Sequence, residues 1–297
     1  RVVGPALPVI SIVFIFYALF GNHMPDFLAF RGVSLSRLLG QMTMSTEGIY
    51  GIPLDVSANI VFLFVLFGAM LERAGAGTYF IRLALSVLGT FRGGPAKAAV
   101  LASGLTGMVS GSSIANIVTT GTFTIPLMKK VGYHRKTAGA VEAAASTGGQ
   151  IMPPLMGAGA FLMSEFTRVP YVDIVLVSIF PAVLYFGTVY LLVHIAAVKQ
   201  GMTGLTAEEL PSVRKVLAEG WHFLLPLVAL VMLLVAGYSP MRVGFYAILS
   251  MMAAASARAL WEFARSGPTM QGFFGLCTRG LKLTLDALDL GARNAVA

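Results

Sequence analysis

Long apolar runs interrupted by short polar clusters set the layout of this chain. Val2 to Phe20 predicts a membrane crossing, with Pro5 and Pro8 near one end where a helix tolerates them. Gly21 to Gly51 is mixed, and inside it Val33, Leu35, Leu38, Leu39 and Met42 fall at helical spacing around Arg37, the pattern of a short interfacial helix. Pro53 to Leu71 predicts a second crossing, closed by Glu72, Arg73 and the turn Gly75-Ala76-Gly77. Thr78 to Phe91 is short and carries Arg82, so it fits either a tilted crossing or a surface helix. Val172 to Val198, Phe223 to Tyr238 and Val243 to Trp261 predict further crossings, with Ala207 to Glu219 an amphipathic surface segment between the first two. Met270 to Leu290 alternates apolar residues with Arg279, Lys282, Asp286 and Asp289, and is as ambiguous as Thr78 to Phe91.

Two stretches depart from this plan. From Gly93 to Lys130 an apolar arm, Ala96 to Val109, meets the polar cluster Ser110-Gly111-Ser112-Ser113-Ile114-Ala115-Asn116, and a second arm follows from Ile117 to Met128. Each arm is shorter than the roughly 20 residues a helix needs to cross a bilayer. That predicts a re-entrant helical hairpin whose tip offers hydroxyl and amide oxygens to a dehydrated alkali cation or a small polar solute. A close helix contact through small residues is the alternative. Thr137 to Phe166 is the second such stretch: an apolar helix through Ala145, then Ser146-Thr147-Gly148-Gly149-Gln150-Ile151-Met152-Pro153-Pro154, then another helical piece. Pro153 and Pro154 cannot continue the ladder of helical hydrogen bonds, so the helix breaks there. A plain proline kink, with Ser146 and Thr147 bonded back to their own helix, is the alternative reading of that piece. Beside a re-entrant tip, the break reads as the discontinuous helix of a transporter.

Composition agrees. Of 297 residues 57% are hydrophobic and only 11% charged, with mean hydropathy +0.81, which makes this an all-α polytopic membrane protein embedded in a lipid bilayer. The net charge of +8 has no aromatic-interleaved basic face, so it points to cytoplasmic loops and not to nucleic acid. Arg92 and Lys97 precede the hairpin while Lys129, Lys130, His134, Arg135 and Lys136 follow it, assigning its mouth to the cytoplasm. One cysteine, Cys277, leaves no internal disulfide, and 4 His make a Cys/His metal cage unexpected. The acids sit mostly in loops, at Asp26, Glu72, Asp173, Glu208, Glu209 and Glu219. Without paired carboxylates or a nucleophile motif, the chain does not read as an enzyme. Glu142 is the exception, an acid inside an apolar run that either serves function or pairs with Arg135 or Lys136.

Gly93-Gly94-Pro95-Ala96-Lys97, the Ser110 to Asn116 tip, Gly132-Tyr133 and the Ser146 to Pro154 break resemble the large membrane subunit of tripartite ATP-independent periplasmic (TRAP) transporters. The nearest likeness is to fused small-plus-large permeases that work with TAXI-type binding proteins. The resemblance implies an elevator-type, sodium-coupled symporter in the bacterial inner membrane, taking up small carboxylates delivered by a periplasmic binding protein. It implies a small membrane subunit fused upstream and no cofactor beyond Na+ as coupling ion. It also implies that Ser110, Gly111, Ser112, Ser113 and Asn116 face Ser146, Gly148, Gly149, Gln150 and Pro153 across one sodium site and half of the substrate site. Asn116 can donate to a carboxylate or accept toward a cation. Residues 1–91 would then be scaffold, 92–170 transport-domain elements (hairpin 93–130, broken helix 137–166), and 171–297 helices leading into a second repeat. If Thr78 to Phe91 and Met270 to Leu290 both cross, a hairpin after Ala297 would enter from outside, as in an inverted repeat. No second Ser-Gly-Ser-Ser tip or Pro-Pro break lies in these residues, and the chain opens on Arg1, so a fragment of a longer polypeptide is expected. A cation channel or another ion-coupled membrane transporter is the alternative.

Overall fold

The computed structural model describes residues 5–266, 285–286 and 288–292, and all regular structure among them is helical. Helix α1 (Ala6–Phe20) covers the first expected crossing and buries none of its residues. The amphipathic stretch around Arg37 is helix α2 (Leu35–Met44), capped by the Ser34 hydroxyl. The second crossing is one apolar rod, Ile52–Arg73, built from α3 (Ile52–Val56), a π turn (Ser57–Val61) and α4 (Phe62–Arg73). The turn after it is tighter than expected. Gly75 alone takes a left-handed conformation, φ 101°, and α5 (Ala76–Leu88) already begins at the next residue.

Helix α5 buries Tyr79, Phe80, Ile81 and Ala84. Its Arg82 pairs with Glu219 at 2.9 Å. The hairpin follows as α6 (Gly94–Ser110) and α7 (Ser113–Lys130), with Gly111 and Ser112 between them. At 17 residues α6 is about 25 Å long, too short to cross the full bilayer. Next come α8 (Arg135–Gly148), a 3-10 turn (Gly149–Ile151), the Pro153-Pro154 stretch and α9 (Ala158–Thr167). Helix α10 (Tyr171–Lys199) packs against α6, α8 and α9. The segment expected to lie on the surface from Ala207 to Glu219 does so only at its start. From Val213 it is already α11 (Val213–Val235), the next crossing helix, followed by α12 (Pro240–Ser266). Met270 to Leu290 lies almost wholly outside the described residues.

Among the described residues four segments are long and apolar enough to cross a membrane: Ala6–His23, Ile52–Arg73, Tyr171–Lys199 and Val213–Val235. Two large apolar cores hold the rest together, with a smaller one, Ile81, Ala84, Ala98 and Ala102, between α5 and α6. One joins α6, α7, α8 and α10 through Ala96, Ala99, Met128, Tyr133, Ala145 and Val193. The other joins α4, α5, α11 and α12 through Phe67, Leu71, Phe80, Leu230 and Val243, and reaches Val109 at the hairpin and Met156 at the break. The hairpin is wedged between the two, and its mouth lies beside the end of α10: a Cβ on Gly93 would meet Ala197 Cβ at 2.5 Å and the Tyr133 hydroxyl at 2.6 Å.

Candidate functional site

The tip and the break lie at one depth because glycines let their backbones touch. A Cβ on Gly107 would fall 2.4 Å from Gly149 Cα, and one on Gly111 would fall 2.1 Å from the Met156 carbonyl oxygen. No side chain fits at either contact. Gly111 has φ 59° and Met156 φ 58°, so two left-handed residues face each other, one of them a methionine that pays steric strain to stand there. Helix α6 stops at this point, and carbonyls of its last turn lose their helical donors. Gly111 N returns to Gly107 O at 3.1 Å, while Ser112 caps α7 by accepting from Ala115 N at 3.4 Å. The start of α7 therefore points its partial positive charge at the tip.

A cavity of about 150 Å3 opens beside the tip. Ser110, Gly111, Ser112 and Glu72 form its polar wall, and Phe64, Val65, Leu155, Met156 and Phe161 its apolar one. One water needs roughly 10–15 Å3 of such space, so a small ion with several waters fits. Glu72, assigned from sequence to a loop, belongs to the last turn of α4, and one of its carboxylate oxygens accepts from the Thr119 hydroxyl of α7.

The expected site residues separate into two groups. Ser110, Gly111, Ser112 and Ser113 stand half-buried at the tip, and Gln150 reaches them by donating from Nε2 to Ser113 Oγ at 3.1 Å. Gly157 N bonds the Gln150 carbonyl at 2.8 Å, and the Tyr171 hydroxyl lies 2.8 Å from both the Pro154 and Leu155 carbonyls, so the break is held open as an ordered loop. Pro153 is half-buried in that loop. Gly148 and Gly149 are buried; a Cβ on Gly148 would meet the Tyr185 ring at 2.5 Å.

Asn116 and Ser146 are buried below the tip, with Asn116 beside the Gly107–Gly149 contact, where its Nδ2 would lie 3.2 Å from a Cβ on Gly149. Asn116 is fully buried and donates from Nδ2 to the Ser103 carbonyl at 2.9 Å. Ser146 donates to Glu142 Oε1 at 3.0 Å. Glu142 pairs with neither Arg135 nor Lys136. It is fully buried, with Ser103 donating to it at 3.2 Å and the hydroxyls of Thr120 and Thr124 against its two oxygens. This hydroxyl cage joins α6, α7 and α8. Its members Ser103, Thr120 and Thr124 were missed from sequence, although the i, i+4 spacings Thr120–Thr124 and Glu142–Ser146 each put a polar pair on one helix face.

At the mouth, Lys130 bonds Glu209 at 2.8 Å and holds its carboxyl below the usual carboxylate range. Arg92, Lys129, His134, Arg135, Lys136 and Lys199 are exposed around the same end.

A family model described as Tripartite ATP-independent periplasmic transporter, DctM component, matches residues 1–270. Among similar proteins, the C4-dicarboxylate TRAP transporter large permease protein DctM of Vibrio cholerae is 37% identical over 91 residues, covering 31% of this chain and 20% of that protein. The corresponding Pseudomonas aeruginosa protein is 36% identical over 91 residues, 31% of this chain and 21% of its own length. The isethionate TRAP transporter permease protein DctMQ of Oleidesulfovibrio alaskensis is 29% identical over 136 residues, 41% of this chain and 21% of that protein. The chain thus spans only 20% to 26% of the length of the first relatives it matches.

Proposed function

The chain belongs to the DctM component family of tripartite ATP-independent periplasmic transporters, and on that premise we propose that it forms part of the large membrane subunit of a sodium-coupled symporter for carboxylates. Its cargo arrives on a periplasmic binding protein of the TAXI type, its small membrane subunit is fused upstream, and it resides in the bacterial inner membrane. The names of the relatives, C4-dicarboxylate and isethionate permeases, support an organic anion as cargo.

The observation that carries the sodium reading is the cavity where the interrupted helices meet, with the Ser110 and Ser112 hydroxyls and the Glu72 carboxylate along one wall. An alkali cation leaves water only where protein oxygens replace its shell, and hydroxyls, open carbonyls and one carboxylate are suited to that. A lone anion would be repelled by Glu72, whereas a cation bound first would offset that charge and leave the N-terminus of α7 free to favour the anionic cargo. Cation before anion is the order such a site imposes, and it makes uptake depend on sodium.

The test is uptake of a radiolabelled C4-dicarboxylate by the full-length protein with its binding protein in proteoliposomes with an inward sodium gradient and in sodium-free ones. Ser112→Ala with Ser113→Ala is expected to abolish sodium-dependent uptake while leaving membrane insertion intact. Unchanged sodium dependence in that variant would remove the hairpin tip from the site.

A further inference from the structure

Glu142 is a fully buried acid at membrane depth whose contacts are all hydroxyls: Thr120 and Thr124 from α7, Ser103 from α6 at 3.2 Å, and Ser146 from its own helix at 3.0 Å. The ion pairs among the described residues are Arg82–Glu219 and Lys130–Glu209, and neither involves it. The positive groups on the helices packed around it are engaged or distant. Lys97 of α6 stands over the rings of Phe91 and Tyr190, at 5.8 and 5.3 Å, while Lys129, Lys130, Arg135, Lys136 and Lys199 are exposed at the mouth. Hydroxyl donors occupy the carboxyl group's lone pairs but supply no opposite charge, which a low-dielectric interior penalises.

The cage is able to turn its oxygens inward. Thr120 Oγ1 lies 2.7 Å from the Asn116 carbonyl, and Thr124 Oγ1 lies 3.0 Å from the Thr120 carbonyl. If each hydroxyl hydrogen swings to that carbonyl one turn earlier, its lone pairs face the carboxylate instead. The two carboxylate oxygens and the hydroxyls of Ser103, Thr120, Thr124 and Ser146 then form an all-oxygen shell of the kind hard cations take. Nearby, the buried Asn116 Oδ1 has no hydrogen-bond partner, a further acceptor on the same face of α7 one turn before Thr120.

We propose that this cage is a second sodium site, deeper than the cavity at the tip. Ser103 precedes Ser110 by seven positions, which puts it about 10 Å from the tip along α6. A sodium ion there neutralises Glu142 and fastens both arms of the hairpin to α8. The proposal rests on the reading of the chain as part of a sodium-coupled permease, and it adds a separate ion to that reading.

The two sites are distinguished by the sodium-induced rise in melting temperature of the full-length permease in detergent, titrated with NaCl against equal choline chloride. The comparison takes wild type, Glu142→Gln, Thr124→Val and the tip variant Ser112→Ala with Ser113→Ala. Glu142→Gln and Thr124→Val are expected each to lose part of the rise and to weaken the apparent sodium affinity at least tenfold for that part, while the tip variant loses a different part. Thr124→Val keeps the shape of the side chain, so it carries the test if Glu142→Gln fails to fold. A full sodium response in both cage variants overturns the deep site, and its loss in the tip variant of the same series leaves the tip reading standing. A response lost in the cage variants but intact in the tip variant supports the deep site and counts against the tip. Stabilisation of wild type by acid alone, with no response to sodium, assigns the charge to a proton and also overturns the proposal.

Discussion

Gly107 and Gly149 bring the hairpin and the broken helix into backbone contact, and their replacement has a calculable consequence. A methyl group on Gly107 would stand 2.4 Å from Gly149 Cα, a distance only backbone movement relieves. Overpacking of that kind costs roughly 1–3 kcal/mol. Gly159 on α9 has open space where its Cβ would go. Gly107→Ala is therefore expected to lower the melting temperature of the purified protein, and Gly159→Ala to leave it unchanged or raise it slightly through better helix propensity. Equal effects from both would show that the contact is not tight. At this scale the small residues of the tip and break were legible in the sequence, because glycine, serine and paired prolines carry their local meaning with them. Glu142 was not. Apart from Ser146 on its own helix, its partners come from positions 18 to 39 residues away, and the basic residues nearest in sequence were the wrong ones.

At the scale of elements, charge misled where hydrophobic pattern did not. Arg82 left α5 undecided between a tilted crossing and a surface helix, and Glu219 made the start of α11 look like a surface segment. The two bond each other at 2.9 Å between these helices. Each charge has a partner that the sequence of its own element does not contain. Both side chains remain partly exposed, so the pair is worth at most about 1 kcal/mol, and apolar packing sets the arrangement, with the Tyr79 ring lying against Gly220. The ordered break between α8 and α9 depends on a long-range contact in the same way. The Tyr171 hydroxyl, at the start of α10, holds the Pro154 and Leu155 carbonyls. Tyr171→Phe removes this link and is expected to destabilise the protein by about 1 kcal/mol. Its larger effect should be faster backbone hydrogen exchange confined to residues 150–157. Uniform change along the chain would assign Tyr171 to general packing instead.

For the whole molecule, the basic end bears on orientation. Arg92, Lys129, His134, Arg135, Lys136 and Lys199 gather at the hairpin mouth, and the positive-inside tendency predicts a cytoplasmic location for that end. With Cys277 replaced by serine, a cysteine introduced by Lys136→Cys is expected to react with membrane-impermeant maleimide in inside-out vesicles and not in intact cells. Reaction from the periplasmic side would invert the topology. At this end Glu209 titrates below its ordinary range because Lys130 stabilises its ionised form. That contribution is present at neutral pH and is lost as pH falls through the lowered value, so acid should loosen the loop before α11 and leave the buried hairpin unaffected. Four crossings, the hairpin and the break could be read from apolar run lengths because the bilayer fixes how long a crossing must be, whereas Val243 to Trp261, also expected to cross, lies in α12, which is not among the four described helices apolar enough to do so. Which helices touch could not be read, since the cores that decide it combine residues from across the chain.

Sodium at the meeting point of the interrupted helices can be tested chemically. In the full-length protein lacking Cys277, Ala158→Cys places a thiol in the lining of the cavity without removing a proposed ligand, and its alkylation by a small water-soluble maleimide can be timed in NaCl and in equal choline chloride. Occupation of the cavity by the ion predicts at least severalfold slower alkylation in sodium, with no such effect at the remote exposed position Lys136→Cys. Equal rates at Ala158→Cys in the two salts would contradict a cation held at the tip.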